Sequence, residues 1–450
     1  MMAKMFGSGG SEIGMNRKFK YSRYNVRFTW GNRQYLWNTL TDALIELDMD
    51  EAYYIDTSSE PVINDPNFNS LYRNGCILPF EYDELGKVLY EEKAVMMERE
   101  PKTLQYTIAP GLGCNYDCIY CFEKGNRNSK YMDEKTLEAV SNYIISATEH
   151  NKNLQNIRVT WFGGEPLLYQ NAITRISKCL MDYCKEKGVK YSAGIVTNGR
   201  LLDVDTAKML KKLNVRYVQL SFDGMKTEYM KQKRCSEDDF NQTVINICNC
   251  ADIIPITVRV NVYDDISEAK KLTEFLLKEK GLDGKIKIYI AHIRDYSCSN
   301  ACAERESHDS FLTLQGQYMR QFGAGGFFDW NSFCNIVPKR RFTTCATVCR
   351  TNCCIGPEGE LYRCEHFLGD NKHVVGTVTD GLYNNSEDLK YLLFRHPNKC
   401  LECNMFPICL GGCMNDAMSG DIPLSCESLK KRWFELLMLN YNEMKGGETT

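Results

Sequence analysis

Cysteine usage is the feature that most constrains this chain. The sequence contains 22 Cys in 450 residues; only Cys76 lies among the first 113 residues, whereas ten lie between Cys345 and Cys426. A disulfide framework needs an oxidising compartment, and the first residues lack the apolar run of a secretory signal peptide. Closely spaced Cys in a reducing compartment favour a metal site, an iron–sulfur cluster or redox catalysis.

Composition and charge argue against several other classes of protein. The chain is 43% hydrophobic and 25% charged, with a formal charge of −3, as in an ordinary globular protein. The near-neutral balance gives no electrostatic reason to expect a nucleic-acid partner or an anionic membrane surface, and no window approaches the roughly 18 apolar residues of a membrane span. We therefore expect a cytoplasmic protein of two or three domains, with no nucleic acid and no membrane as partner.

The periodicity of apolar residues predicts an α/β fold with a central parallel sheet. Six short apolar runs, typical of buried strands, alternate with amphipathic stretches typical of helices. The strand runs are Leu104–Ala109, Ile157–Phe162, Tyr191–Val196, Arg216–Phe222, Ile256–Val262 and Ile286–Ala291. The helical stretches fall near 133–149, 170–187, 203–213, 238–250 and 266–280. Six repeats, where a full TIM barrel has eight, predict a partial (β/α)6 TIM-like barrel.

The segments outside these repeats predict three further parts of the chain. Residues 1–100 are expected to form a small α+β unit, with YNVRFTW and RQYLWNTLTDALIEL as a strand pair around a turn at Gly31 and Asn32. A helix is expected around Glu81–Met97. The barrel is placed at 101–310, a linker at 311–342 and a Cys-rich domain at 343–450, which a helix near 427–443 closes.

A loop with three cysteines follows the first strand of the predicted barrel. Cys114, Cys118 and Cys121 occur in GCNYDCIYCFE, with C-x3-C-x2-C spacing. Three thiolates on one short loop can hold three irons of a [4Fe–4S] cube and leave the fourth iron open for a substrate or cofactor. The spacing by itself leaves a zinc ion or a chance cluster as alternatives.

Polar residues gather where the predicted strands end. In a parallel sheet of this kind the carboxyl ends of the strands meet at one edge, where active sites form. Each such residue alone is a common cap or turn residue, but together they predict a binding site. They are Gly163, Gly164 and Glu165 in WFGGEP, Thr197 and Asn198 in TNG, Ser221 and Asp223 in SFDG, and Arg259 and Asn261 on the fifth strand.

In combination, the three-cysteine loop, the GGEP turn and the TNG and SFDG strand ends resemble the radical S-adenosylmethionine (radical SAM) superfamily over roughly residues 104–292. The resemblance implies that Cys114, Cys118 and Cys121 ligate a [4Fe–4S] cluster whose open iron binds SAM. It further implies that SAM is cleaved to methionine and a 5′-deoxyadenosyl radical, which takes a hydrogen atom from the substrate. The implied SAM contacts are Tyr120 near adenine, Gly163, Gly164 and Glu165 at the amino group, and Thr197, Asn198, Ser221 and Asp223 around the ribose and carboxylate.

The Cys-rich tail resembles the SPASM domain, which carries two auxiliary [4Fe–4S] clusters in peptide-modifying radical SAM enzymes. The resemblance implies three clusters in all. One auxiliary cluster is expected on Cys400, Cys403, Cys409 and Cys426, and the other on Cys345, Cys349, Cys364 and Cys413. For the second set, Cys353 or Cys354 could replace Cys349, or the fourth ligand could be absent, which would leave a site for a substrate thiolate. A double zinc-ribbon module is the alternative for the whole tail.

Residues outside these ligand sets have more than one interpretation. Glu365 follows Cys364 directly, and in some relatives a carboxylate here is proposed as a catalytic base; a plain surface residue is the alternative. Of the remaining cysteines, four in helical stretches are expected to be packing residues, namely Cys179, Cys184, Cys248 and Cys250. Three others in or near the linker, Cys298, Cys302 and Cys334, are left without a role.

The resemblance favours a peptide maturase that modifies a ribosomally made precursor, most plausibly by a thioether from Cys sulfur to carbon. The N-terminal unit weakly resembles domains that bind a leader peptide by adding its strand to a sheet edge, although a structural cap is an alternative. Partners would then be a precursor peptide with leader and an external low-potential electron donor. A sulfatase-maturing, formylglycine-forming enzyme is the second hypothesis, and a non-catalytic iron–sulfur or zinc scaffold the third.

Overall fold

The structure is a computed structural model that describes residues 18–47, 60–61, 66–149, 151–263, 265–293, 301–322, 338–418 and 426–446. Cys298, Cys334 and the side chain of Cys302 lie outside the described residues. The chain divides into two compact units. The first consists of Met1–Glu92, Lys339–Phe342 and His396–Gly411, and the second of Lys93–Pro338, Thr343–Arg395 and Gly412–Thr450. None of the described helices is long and apolar enough to cross a membrane.

The first unit is built on short antiparallel strands. Strand β1 (Phe19–Tyr21) pairs with β5 (Ile77–Pro79), whereas β2 (Asn25–Trp30), β3 (Arg33–Asn38) and β4 (Ala43–Leu47) form a sheet in that order. The predicted turn is confirmed, because Trp30 pairs with Arg33 and Gly31 has a φ of 59°. The prediction of one strand after this turn is wrong: Asp42, with a φ of 62°, turns the chain, so that RQYLWNTLTDALIEL gives two strands.

Helices α1 (Phe68–Arg73) and α2 (Glu84–Met97) follow, and a segment of the Cys-rich tail completes the first unit. In this unit Phe406 and Leu410 pack against Tyr24, Leu40 and Val88. Two hydrogen bonds hold the same segment: the Thr39 hydroxyl donates to the Asn404 carbonyl at 2.5 Å, and Arg23 Nη2 donates to the Leu401 carbonyl at 2.8 Å. The segment with Cys400, Cys403 and Cys409 therefore shares a hydrophobic core with N-terminal strands.

The second unit contains the predicted parallel sheet, and the α/β class is confirmed. Its six parallel strands are neighbours in chain order. They are β6 (Thr103–Ile108), β7 (Asn156–Trp161), β8 (Lys190–Thr197), β9 (Val215–Ser221), β10 (Ile256–Val262) and β11 (Ile286–His292). These bounds agree with the apolar runs to within one residue at each end because a strand covered on both faces is apolar along its whole length.

Helices alternate with these strands, as the periodicity predicts. They are α3 (Glu134–Glu149), α4 (Gln170–Lys187), α5 (Val204–Lys212), α6 (Lys226–Lys233), α7 (Glu237–Cys250), α8 (Ser267–Glu274) and α9 (Ala301–Phe322). Capping residues mark the start of two of these helices. Asp203 is the N-cap of α5, and Ser236 with Asp239 forms a capping box on α7. Helix α6 was not predicted because its eight residues, KTEYMKQK, show no apolar periodicity.

The large core of this unit also accounts for several cysteines. Cys184 and Cys250 are buried in it, and Cys248 packs against it, as expected for packing residues. Cys179 is exposed, so that the same expectation is wrong there.

The tail adds strands to the same sheet. Strand β12 (Cys353–Ile355) pairs parallel with β6, and β13 (Glu360–Tyr362), β14 (Gly376–Thr377) and β15 (Gly381–Leu382) continue antiparallel. Within the part of the chain that the structure describes, the sheet therefore has ten strands in the order β11-β10-β9-β8-β7-β6-β12-β13-β14-β15. Helices α10 (Ser386–Leu392), α11 (Met414–Met418) and α12 (Cys426–Gly446) follow. Cys364 and Glu365 follow β13, and Leu368 beyond them packs in one cluster with Ala109 and Leu112, which follow β6.

Candidate functional site

The three-cysteine loop leaves the carboxyl end of β6 and is anchored by backbone contacts. Gly113 accepts a hydrogen bond from the Glu165 N–H at 2.9 Å and donates its own N–H to the Tyr169 hydroxyl at 3.1 Å. Further along, the Ile119 N–H donates to the Gln232 carbonyl at 2.9 Å. The loop is therefore fixed to the segments that follow β7 and β9.

The three thiols on this loop have a cation beside them. Arg127 Nη2 donates to Cys121 Sγ at 3.1 Å, and the Tyr116 N–H donates to Cys114 Sγ at 3.5 Å. Burial raises the pKa of Cys114 to about 11 and also raises that of Cys118, so that a bound metal would have to displace the thiol protons. Three soft sulfur donors with N–H groups directed at them fit an iron–sulfur cluster. Within the described ranges, no three Cys, His, Asp or Glu side chains are preassembled around one point.

The glycines of the GGEP turn permit a close approach between backbone segments. A Cβ on Gly163, whose φ is 99°, would lie 2.6 Å from the Gly111 carbonyl oxygen. A Cβ on Gly164 would lie 2.3 Å from the Gly113 carbonyl oxygen. We expected these glycines to let a ligand approach; what approaches them in the structure is the start of the cysteine loop itself.

Glu165 is fully buried and joins the segment that follows β7 to the end of β8. Its Oε1 accepts hydrogen bonds from the Leu167 N–H at 2.9 Å and the Thr197 hydroxyl at 2.7 Å, and its Oε2 accepts one from the Asn198 N–H at 2.8 Å. Burial raises its pKa. Asn198 Nδ2 in turn donates to Asn115 Oδ1 at 2.8 Å and lies 4.0 Å from Cys114 Sγ. These contacts bring the predicted residues Glu165, Thr197 and Asn198 next to the cysteine loop.

Asp223 forms a second buried group at the same sheet edge. The Tyr120 hydroxyl donates to Asp223 Oδ2, and Asn261 Nδ2 donates to Asp223 Oδ1 at 2.8 Å. Asn261 Nδ2 also donates to the Tyr120 hydroxyl at 3.2 Å. Tyr120, the residue before the last cysteine of the loop, is thereby held against the ends of β9 and β10.

Lys233 completes this group, and we did not predict it from the sequence. Its Nζ lies 3.0 Å from Asp223 Oδ2 and donates to the Ser221 hydroxyl at 2.7 Å; the Lys233 and Asp223 side chains are 2% and 0% exposed. Although burial disfavours its charge, Asp223 and Tyr120 hold the pKa of Lys233 above its usual value. A lysine on a short polar helix is normally exposed, so nothing in the local sequence marked it.

In the tail part of the second unit, several thiols lie around Glu365. Burial raises the pKa of Cys364, and Glu365, Cys345 and Cys413 raise it further, which shows that their charges act on this thiol. The Cys345 thiol also shares a hydrogen bond of 3.1 Å with the Thr347 hydroxyl. Cys345 and Cys413 therefore act electrostatically on Cys364, and the assignment of these three cysteines as cluster ligands stays a prediction.

The structure narrows the candidates for the fourth ligand of this set. Successive residues of a strand face opposite sides, and Cys353 faces Tyr143 and Arg363, whereas Cys354 faces Glu365, Cys364 and Cys345. Cys349, our predicted ligand, is buried, and burial raises its pKa to about 11, with Cys345 as a further cause. Cys349 and Cys354 are both near Cys345, and the assignment to Cys349 stays a prediction.

The turn that begins at Glu365 packs against the cysteine loop of β6. The rings of Phe122 and His366 stack with centroids 4.4 Å apart. Beside them Glu123, which belongs to none of the sequence motifs, is a buried carboxyl whose pKa burial raises to about 7, with Glu365 and Glu165 as lesser causes. Its Oε1 has no hydrogen-bond partner among the described residues. In the sequence Glu123 directly follows Cys121 and Phe122, and no motif at this position indicates a role for it.

The remaining predicted ligands lie in the first unit, except Cys426. Cys400 and Cys403 are half-buried, and the Met405 N–H donates to Cys403 Sγ at 3.4 Å. Burial raises the pKa of Cys409 to about 12, while the Arg341 guanidinium lowers it and the Cys400 thiol raises it. Cys426 is exposed at the first residue of α12, in the second unit.

Comparison with known proteins agrees with this geometry. Residues 108–276 match the model of the Radical SAM superfamily. The radical SAM cyclopropyl synthase TigE of Paramaledivibacter caminithermalis is 32% identical over 189 residues, which are 39% of this chain and 38% of that protein. The cysteine-type anaerobic sulfatase-maturating enzyme of Clostridium novyi is 24% identical over 350 residues, 69% of this chain and 88% of that protein.

A solved structure shares the fold. Native anSMEcpe with bound AdoMet superposes with a TM-score of 0.55 at 20% identity, covering 76% of this chain and 99% of that one. The chain spans less than two thirds of the length of TigE. The family resemblance inferred from the sequence motifs is confirmed by the match over residues 108–276, which contains the three-cysteine loop and the buried groups around Glu165 and Asp223. Residues 108–276 of the chain are therefore similar to the radical SAM superfamily.

Proposed function

We propose that this chain is a radical SAM peptide maturase that modifies a ribosomally made precursor peptide. The observation that carries the proposal is the position of the Cys114–Cys118–Cys121 loop beside the buried Glu165 and Asp223 groups, with Asn198 Nδ2 4.0 Å from Cys114 Sγ. When bound, a [4Fe–4S] cluster and SAM would supply the electron and the 5′-deoxyadenosyl radical for hydrogen abstraction.

The residues of the chain would position the cluster and SAM and keep water away from them. Cys114, Cys118 and Cys121 would hold the cluster. Glu165 fixes the backbone of Asn198 and the side chain of Thr197 at the edge where SAM is expected. Lys233 balances the buried charge of Asp223, so that Tyr120 stays oriented at the end of the loop. Because these groups are buried, a SAM molecule bound among them would be shielded from water.

The reaction we propose is thioether formation. A peptide C–H bond and a Cys S–H bond break, and a C–S bond forms. The carbon-bound hydrogen ends on 5′-deoxyadenosine, and the thiol proton goes to a base, for which Glu365 is the candidate. SAM is the two-electron oxidant overall, because the electron that initiates its cleavage is released when the C–S bond closes. An external low-potential donor must supply that initiating electron.

The auxiliary clusters and the leader peptide belong to the same proposal. Cys345, Cys364 and Cys413, with Cys349, would hold one auxiliary cluster, and Cys400, Cys403, Cys409 and Cys426 the other. Among the described residues β2 and β4 are the outer strands of their sheet, so each offers backbone groups to which a leader strand could pair. A [4Fe–4S] cluster and SAM follow from the family; the count of three clusters is our proposal.

The first test is reductive cleavage of SAM. The full chain, reconstituted anaerobically and given SAM with dithionite, should contain about 12 iron atoms and release 5′-deoxyadenosine. Cys114→Ala should lose deoxyadenosine release entirely, whereas Cys179→Ala, which alters an exposed thiol in α4, should keep it. Bound zinc without deoxyadenosine release would instead identify a Cys-rich scaffold and refute the proposal.

Sulfatase maturation is the second candidate, and the similarity to the Clostridium novyi enzyme over 69% of this chain supports it. The two reactions differ in the mass of the product. A thioether loses two hydrogen atoms and keeps its sulfur, whereas formylglycine made from Cys loses the sulfur. Mass spectrometry of a Cys-rich peptide encoded beside the gene, and of a sulfatase-derived Cys peptide, distinguishes them. Modification of only the sulfatase peptide, with loss of sulfur, would replace the thioether proposal.

A further inference from the structure

Three cations surround one carboxylate on an exposed part of the three-cysteine loop. Arg234 Nη1, directly after α6, donates to Asp117 Oδ2 at 2.8 Å. Lys124 Nζ and Arg127 Nη1 lie 3.4 and 3.7 Å from Asp117 Oδ1. One carboxylate cannot neutralise three cations, so this group carries an excess of positive charge, although the chain as a whole has a formal charge of −3.

This group lies at the surface of the second unit. The side chains of Arg234 and Lys124 are 54% and 47% exposed. Ile119, two residues after Asp117, is an exposed apolar residue, and its N–H donates to the carbonyl of Gln232, two residues before Arg234. We call Asp117, Ile119, Lys124 and Arg234 the cationic patch. Protein interfaces commonly combine apolar contacts with such a polar, charged rim.

One guanidinium connects the cationic patch to a cysteine of the proposed cluster. Arg127 is mostly buried; its Nη1 lies 3.7 Å from Asp117 Oδ1, and its Nη2 donates to Cys121 Sγ at 3.1 Å. In the proposed function an external donor must deliver an electron to the cluster that Cys121 helps to hold, and an electron passes faster over a shorter distance. These contacts place an exposed, positive surface one side chain away from the position where that electron must arrive.

We propose that the cationic patch is the docking surface for an acidic electron-transfer protein that reduces the cluster at Cys121. The inference rests on the proposed function, because it needs a [4Fe–4S] cluster on the three-cysteine loop. One electron leaves the reduced donor and enters the cluster, and no bond is made or broken. Complementary charge speeds the encounter of two proteins and orients them. Because the chain is negative overall, an acidic partner is attracted where its positive charge is concentrated.

The experiment uses flavodoxin, an acidic flavoprotein, as the probe, and the full chain with its clusters reconstituted. Calorimetry measures the binding of oxidised flavodoxin, and stopped-flow absorbance measures electron transfer from reduced flavodoxin to the clusters. Arg234→Glu and Lys124→Glu each reverse one exposed charge. Each should weaken binding about tenfold at low ionic strength and slow the electron transfer. The difference should shrink at high salt, because exposed charges are then screened.

Lys285→Glu is the matched control. Lys285 Nζ pairs with Asp252 Oδ2 at 2.8 Å, as Arg234 does with Asp117, and its side chain is 45% exposed. Lys285 lies directly before β11, at the amino ends of the parallel strands, whereas the cysteine loop leaves the carboxyl end of β6. This variant should change the affinity for flavodoxin by less than about twofold.

Dithionite separates docking from the chemistry of the site. It is a small reductant that needs no docking surface, so deoxyadenosine release with excess dithionite should be the same in the unaltered chain and in every variant. Failure of flavodoxin to bind the unaltered chain, or equal affinity of all the variants for it, would overturn the docking surface alone.

Loss of dithionite-supported release in both Arg234→Glu and Lys124→Glu would show that these residues maintain the cysteine loop, and it would also overturn the docking surface. If the unaltered chain released no deoxyadenosine with dithionite, the inference would fall together with the proposed function.

Discussion

At the scale of single residues, the buried charges around Asp223 show what local sequence does not reveal. Asp223 was expected at a strand end because SFDG closes an apolar run, and the structure places it there. Its partner Lys233 lies on the next helix, ten residues away, where Lys231 is exposed and Lys226 and Glu228 are half-buried. Whether a lysine is buried depends on what packs over it, so its role was decided by tertiary contacts.

Breaking the Lys233–Asp223 pair should destabilise the second unit. Lys233→Met leaves a buried carboxylate without its cation, and such a change costs about 3–5 kcal/mol. The double variant Lys233→Met with Asp223→Asn should recover most of this loss, because no buried charge remains. Anaerobic denaturant unfolding of the cluster-free protein measures the difference.

The control for this pair is Lys231→Met, which alters a lysine of the same helix whose side chain is 69% exposed. It should change the free energy of unfolding by less than about 1 kcal/mol. Equal destabilisation by Lys233→Met and by the double variant would mean that the ion pair does not matter and that packing alone explains the loss.

At the scale of elements, the six strands β6–β11 were predictable because a parallel strand covered on both faces is apolar along its length. The strands of the tail were not predictable in the same way. β12 has three residues, and β14 and β15 have two each, which is too short for a periodicity. β12 exists because β6 supplies its partner, in register from Tyr106 with Cys353 to Ile108 with Ile355.

The turn after β7 offers a test of how elements position the cysteine loop. Gly164→Ala puts a Cβ 2.3 Å from the Gly113 carbonyl oxygen, so the backbone of the loop must move. We expect loss of about four iron atoms of the proposed twelve and loss of deoxyadenosine release, with the helix content unchanged by circular dichroism.

Gly125→Ala is the matched change, since a Cβ there meets nothing within 4 Å, and its iron content should equal that of the unaltered chain. If Gly164→Ala retained full iron and activity, the close approach of the two backbones would have no part in forming the site.

At the scale of the whole molecule, the proposed radical chemistry and three predicted ligands of one auxiliary cluster use different parts of the chain. The residues expected to bind SAM lie in the second unit, and Cys400, Cys403 and Cys409 lie in the first. The N-terminal strands and the tail segment with these cysteines share one core, a grouping that the linear order of the chain does not suggest. The predicted domain bounds and cytoplasmic location stay predictions.

This separation predicts different losses for two cysteine changes. Cys409→Ala should retain part of the SAM cleavage but form no modified peptide, because an auxiliary cluster is missing while the radical SAM site is intact. Cys114→Ala should lose both. The readout is deoxyadenosine by chromatography beside peptide mass. Normal product from Cys409→Ala would remove the tail cluster from the mechanism.

The sequence by itself determined the resemblance to the radical SAM superfamily, the parallel sheet and the position of the three-cysteine loop, because strand periodicity and Cys spacing are local properties of the chain. The tertiary structure decided the burial of Lys233 and Glu123, the pairing of β12 with β6, and the hydrogen bond between Glu92 and His396, which are 304 positions apart in the sequence. Each of these depends on contacts between segments that only folding brings together. Such contacts also decide which charges are buried, and therefore which residues need a partner.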